Sequence, residues 1–248
     1  MERDIVESTK KGLKSALYDA HSFTESFSSI TSAEYILTVN VAQQISKLGP
    51  KKGPALITIN VEMQTKKFAS MCVPLMKKTP ISKPSKGFPR NKTVFRTPKN
   101  TSRNGKIDIA VLKQGTLEDK PVCAIELKGF NPTKGLVIKD IERNLDYFSF
   151  TGQTGKSKIE FTEFCALYQF PKTMLQSKAQ DDLDAIYNRY KGYVAGLHIP
   201  SFVECEIQTF SASSQLLTGT ETQDEYEDVQ HDLHHHVGVI VIFRWKQC

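Results

Sequence analysis

The sequence predicts a mixed α+β layer fold, of α/β type in the broad sense, and three observations carry that expectation. Segments with helical apolar spacing alternate with runs of period two, in the order helix, three strands, helix, strand, helix, two strands. Two of the strand-like runs, 105–112 and 121–129, are separated by the polar, glycine-containing stretch 113–120, which suits a hairpin. At 248 residues, 39% hydrophobic and 24% charged, the chain has the composition of one large folded domain.

The elements follow in order. Ile5, Leu13, Leu17 and Tyr18 form a loose apolar stripe over 1–22, a helix. Thr31-Ser-Ala-Glu34 has the form of a capping box and opens a stronger helix to about Leu48, ended by Gly49-Pro50. From Pro54 to about Phe68 the chain alternates like a strand, and the hairpin strands follow after a basic loop. Asn131-Pro-Thr-Lys134 is placed to cap a helix reaching about Phe150, with Val137, Ile141, Leu145 and Phe148 on one side. A strand over 159–170 and an amphipathic helix over 173–195 come next, then strands over 202–210 and 237–245. No internal repeat is visible.

Charge is unevenly placed. Between Lys77 and Lys106 lie ten basic residues and no acidic one, and the remaining chain holds 23 Lys and Arg against 27 Asp and Glu, a net of −4. With four prolines and many Ser and Thr, this segment cannot bury a core of its own. Beside a reactive site it would track a nucleic-acid backbone; the plainer alternative is a solvated linker. The five cysteines are scattered and never CxxC, which points to a reducing cytoplasm and away from structural zinc. No apolar run reaches ~18 residues and no secretory h-region opens the sequence, so neither a membrane span nor a signal is expected.

The chemistry-bearing residues sit in the hairpin. Glu126 and Lys128 lie two apart and so share one face of their strand, and Asp108 shares a face with Ala110 and Leu112. A hairpin of this length can bring Asp108 beside them. Two carboxylates and an ammonium among apolar neighbours suit a hard divalent cation and a phosphate. The rival reading is a surface ion pair worth about 0–1 kcal/mol.

Glu34 on its helix, Asp108 on one strand and Glu126-Leu127-Lys128-Gly129 on the next, followed by a helix, resemble the PD-(D/E)xK nuclease superfamily over residues 30–170. Ile107 stands where that family often has proline. The resemblance implies a restriction-endonuclease-like core, a central mixed sheet flanked by helices, within a single domain spanning 1–248. The C-terminal part, about 171–248, would be an elaboration. It implies a Mg²⁺-dependent endonuclease (Mn²⁺ substituting) of restriction or phage-defence type, acting on DNA, with RNA possible, as a homodimer or a subunit of a larger complex. Asp108, Glu126 and the Leu127 carbonyl would hold the ion. Glu34 would stand behind them or bind a second ion, and Lys128 would orient or help deprotonate the attacking water. Lys86, Arg90, Lys92, Arg96, Arg103, Lys139 and Arg143 are the candidate nucleic-acid contacts. The alternative function is a catalytically silent nucleic-acid-binding module of the same fold. The run His231-Asp-Leu-His234-His-His236 reads as a polar strand entrance and not as a metal site.

Overall fold

The computed structural model describes residues 1–24, 34–49, 57–73, 76–77, 94–95, 105–115, 119–152, 155–171, 176–213 and 234–247. The elements are α1 (Glu2–Thr24), α2 (Glu34–Ser46), β1 (Ile57–Gln64), α3 (Thr65–Cys72), β2 (Met76–Lys77), β3 (Val94–Phe95), β4 (Lys106–Lys113), β5 (Lys120–Phe130) and α4 (Lys134–Ser149). They continue through β6 (Thr151–Gly152), β7 (Gly155–Lys156), β8 (Phe161–Pro171), α5 (Gln176–Ala195), β9 (Val203–Ser211) and β10 (His234–Trp245).

Six strands form one mixed sheet in the order β1-β4-β5-β8-β10-β9. All its pairings are antiparallel except β5 with β8, which run parallel because α4 carries the chain back between them. Alternate residues of the central strands face opposite layers. Ala110, Leu112, Ala124, Phe164 and Ala166 pack with α3, α4 and α5, whereas Ile109, Val111, Ile125, Leu127 and Cys165 pack with α1 and α2. Both faces are covered, which explains why β4 and β5 read as near-continuous apolar runs. The register of β4 against β5 shifts at a bulge between Val111 and Leu112, and Pro121, the second residue of β5, lies before the pairing with β8, which starts at Cys123.

The layer class and the element order follow the sequence reading, with three local differences. The alternation ending β1 does not run on to Phe68. Phe68, Ala69, Met71 and Cys72 are buried at helical spacing, and the chain turns into α3 at Thr65, whose N–H and hydroxyl both donate to the Gly105 carbonyl. Thr133 is the N-cap of α4 but makes no side-chain cap bond, while Asn131, at a φ of 52°, accepts from the Gln169 N–H instead. His234, His235 and His236 are the first three residues of β10, so they do form its polar entrance, but the strand starts earlier than 237 and His235 and His236 are fully buried there. The residues of the capping box before Glu34 lie outside the described residues. The C-terminal strands are continuous with the sheet: β10 inserts between β8 and β9.

Candidate metal and phosphate site

The hairpin register makes the site. Ile109 pairs with Ile125, and one further step places Asp108 opposite Glu126. Asp108 Oδ2 accepts a 2.6 Å hydrogen bond from the Leu127 N–H, which ties the Asp108 carboxyl to the backbone of the neighbouring strand. Glu126 and Lys128 share the face of Ala124, beneath α4. Glu34, the first residue of α2, reaches Lys128 from the helix pair packed on the opposite face.

Two residues of α4 complete the cluster. Arg143 Nη1 lies 2.9 Å from Glu126 Oε1, and Arg143 Nη2 lies 3.5 Å from Asp140 Oδ1. Lys128 Nζ lies 2.9 Å from Glu34 Oε1 and 3.3 Å from Asp140 Oδ2. The ion pairs thus form a chain, Glu34–Lys128–Asp140–Arg143–Glu126, with Asp108 at its end. The Glu126 side chain is 2% exposed and that of Asp140 6%, so this is not a solvated surface pair. With all four carboxylates ionised, two cations would leave a formal deficit of two positive charges, in a site where Glu126 and Asp140 are withdrawn from water and Glu34 is not.

Protonation reflects that deficit. Burial pushes the Glu126 carboxyl up to about 8, aided by the Asp108 charge and only partly opposed by Arg143. Burial likewise raises Asp108 to about 6 against the Leu127 N–H and Lys128, which favour its charged form. For Lys128, desolvation favours the neutral amine, but the hydrogen bond to Glu34 and the charges of Asp140, Glu34 and Asp108 outweigh it and hold it as ammonium.

The structure therefore brings Glu34, Asp108, Glu126 and Lys128 together, with the Leu127 amide beside Asp108. Lys139 is exposed on α4. Arg143 instead turns inward, its side chain 15% exposed. Lys86, Arg90, Lys92, Arg96 and Arg103 lie outside the described residues. Asp140 escaped the sequence reading. Its signal was there: Asp140 and Asn144 are polar residues on the buried stripe of α4, between Val137, Ile141 and Leu145. Asn144 is spent on the Glu163 carbonyl at 2.9 Å, and Asp140 on the two cations.

Among the described residues no group of three or more His, Cys, Asp and Glu is gathered as a ready-made metal cage. The donor chemistry nevertheless fits a hard cation. Asp108 and Glu126 each use one oxygen in the contacts described, and Asp140 Oδ2 is buried without a hydrogen bond. Next to the cluster, a groove of about 330 Å³ is lined by Gln64, Lys66, Gly105 and Lys106. A Cβ on Gly105 would lie 3.9 Å from Arg143 Nη2, so the groove abuts the guanidinium. A larger groove of about 640 Å³ is bordered by Glu2, Lys10, Glu206 and Arg244, where α1 meets edge strand β9. No protein family, characterised protein or solved structure matches this chain.

Proposed function

We propose that this chain is a metal-dependent nuclease that hydrolyses phosphodiester bonds, an endonuclease acting on DNA in preference to RNA. The observation that carries the reading is the convergence of Asp108, Glu126 and Lys128 on one withdrawn face of adjacent strands, in a site with more carboxylates than cations. The order of helix with Glu34, strand with Asp108, adjacent strand with Glu126 and Lys128, then helix supports membership of the PD-(D/E)xK superfamily and a restriction-endonuclease-like core. Among the described residues four cysteines are free, three of them buried, which fits a reducing cytoplasm. Among the described residues no helix is long and apolar enough to cross a membrane.

Asp108, Glu126 and the Leu127 carbonyl would hold Mg²⁺ or Mn²⁺, with Glu34 behind them. Such an ion supplies Lewis acidity toward the phosphoryl oxygen and lowers the pKa of a coordinated water. Lys128, fixed as ammonium by Glu34 and Asp140, donates hydrogen bonds to the attacking water and to a phosphate oxygen and holds both in line. It does not serve as the proton acceptor, because its neighbours stabilise the charged form. The low-dielectric wall supplied by α4 strengthens each of these interactions.

The second reading, a silent nucleic-acid-binding module, draws on the engagement of Glu126 by Arg143. Incubation with supercoiled plasmid separates the two. The nuclease gives nicked or linear product with Mg²⁺ or Mn²⁺ and none with EDTA, whereas a silent module binds and leaves the plasmid intact under both conditions.

A further inference from the structure

Arg143 holds the carboxylate that a metal ion would need. Its Nη1 is 2.9 Å from Glu126 Oε1 and its Nη2 is 3.5 Å from Asp140 Oδ1, and the guanidinium lies against Gly105 at the groove shared by Lys66 and Lys106. A divalent cation and a guanidinium compete for the same oxygens, since both are satisfied by carboxylate and neither tolerates the other close by. Arg143 also lies on a rigid helix with Asp140 one turn before it, which gives the guanidinium a second carboxylate to lean on. Its planar fork suits a phosphate diester as well as it suits a carboxylate.

We infer that Arg143 is an exchange residue: it occupies the Glu126 side chain until a divalent cation arrives, then is released toward the adjacent groove to clamp a backbone phosphate. The inference rests on the nuclease reading and adds an order to it, with metal entry arming the phosphate contact. Lys66 and Lys106 would extend that contact along the groove, although Lys106 shares its charge with Glu62.

Mn²⁺ titrated alone, followed by electron paramagnetic resonance, tests the exchange without turnover. Arg143→Gln should bind Mn²⁺ about tenfold tighter than the wild type, because it removes a cation that occupies the Glu126 and Asp140 oxygens and repels the incoming ion. Equal or weaker binding would overturn the inference while leaving the metal site in place. Should the wild type bind no Mn²⁺ that Asp108→Asn abolishes, the nuclease reading and the exchange both fall. A second measurement guards against misfolding of Arg143→Gln. In EDTA, Glu126→Gln should bind a short DNA duplex several-fold tighter than the wild type, because a neutral amide oxygen holds the guanidinium more weakly than a carboxylate does. Arg143→Lys in the Glu126→Gln background keeps the charge and loses the fork, and should cancel most of that gain. A gain that survives the lysine would reduce Arg143 to bulk charge and contradict the clamp.

Discussion

Lys128 sits between Glu34 and Asp140, and that placement limits it to one kind of work. Lys128→Ala should cut turnover by at least about 100-fold while weakening nucleic-acid binding only a few-fold, since one contact among many is lost. Cleavage at the wild-type rate would make it a structural lysine. Glu126 and Glu163 are carried by burial up to about 8, although their ordinary values lie near 4.5. Facing Glu126 are Arg143, Asp108 and Asp140; facing Glu163 are the Thr9 hydroxyl, Cys165, Glu2 and Lys10. The folded chain therefore keeps protons that the unfolded chain has lost, and stability falls as pH rises from about 5 to about 8. Each group contributes at most about 1.4 kcal/mol per pH unit within that window. In EDTA the thermal midpoint should drop across this range, and Glu126→Gln and Glu163→Gln should each make the drop shallower. A midpoint independent of pH between 5 and 8 would contradict the buried, protonated state. The face shared by Glu126 and Lys128 was legible in the sequence because a strand has period two. The ion-pair partners of Arg143 and Asp140 were not, because they depend on where α4 lands on the sheet.

Among the elements, α5 is fastened to the far end of the sheet by a short relay. His235 Nδ1 lies 2.8 Å from Asp182 Oδ2 on α5, and His235 Nε2 lies 3.0 Å from Ser211 Oγ on β9. A carboxylate only accepts, so Nδ1 donates and, in the neutral ring, Nε2 accepts from the serine. The imidazole is fully buried, so the arrangement braces helix to sheet. Asp182→Ala should cost about 1–3 kcal/mol in urea unfolding, by leaving a buried ring nitrogen unpaired. A loss under about 0.5 kcal/mol would remove the brace. Among the described residues, local pattern located the six strands of the main sheet and four of the five helices to within a few residues. It could not show β10 sliding between β8 and β9, since long-range pairing leaves no local mark. It also missed α3, where Met63 and Thr65 extend the strand alternation by chance before Phe68 and Ala69 turn to helical spacing.

At the scale of the whole molecule, positive charge is concentrated in the segment from Lys77 to Lys106, whose last residue opens β4 two positions before Asp108. Pairing of Met76–Lys77 with Val94–Phe95 draws two points of that segment together. If the segment follows a phosphate backbone, log–log salt dependence should approach a slope of about −0.9 per neutralised phosphate on duplex DNA. Replacing Lys86, Arg90, Lys92 and Arg96 with Gln should flatten the slope and weaken all sequences about equally, with Mn²⁺ binding retained. An unchanged slope would move the footprint to the groove of Lys66 and Lys106. The charge segregation was plain from composition. The closeness of that groove to Arg143 was not, because it is created by α3 folding against the start of β4.

The central claim is that Asp108 and Glu126 serve a metal ion that hydrolyses nucleic acid. The most direct test compares cleavage of a labelled DNA duplex in Mg²⁺ by wild type and by Asp108→Asn. Asparagine keeps the shape and can still accept from the Leu127 N–H, so the variant should fold and, above pH 6, be at least as stable as the wild type. The account predicts metal-dependent cleavage by the wild type and a loss of at least about 100-fold in a folded Asp108→Asn. Equal cleavage by both proteins, or none by either at any concentration of Mg²⁺ or Mn²⁺, would contradict it.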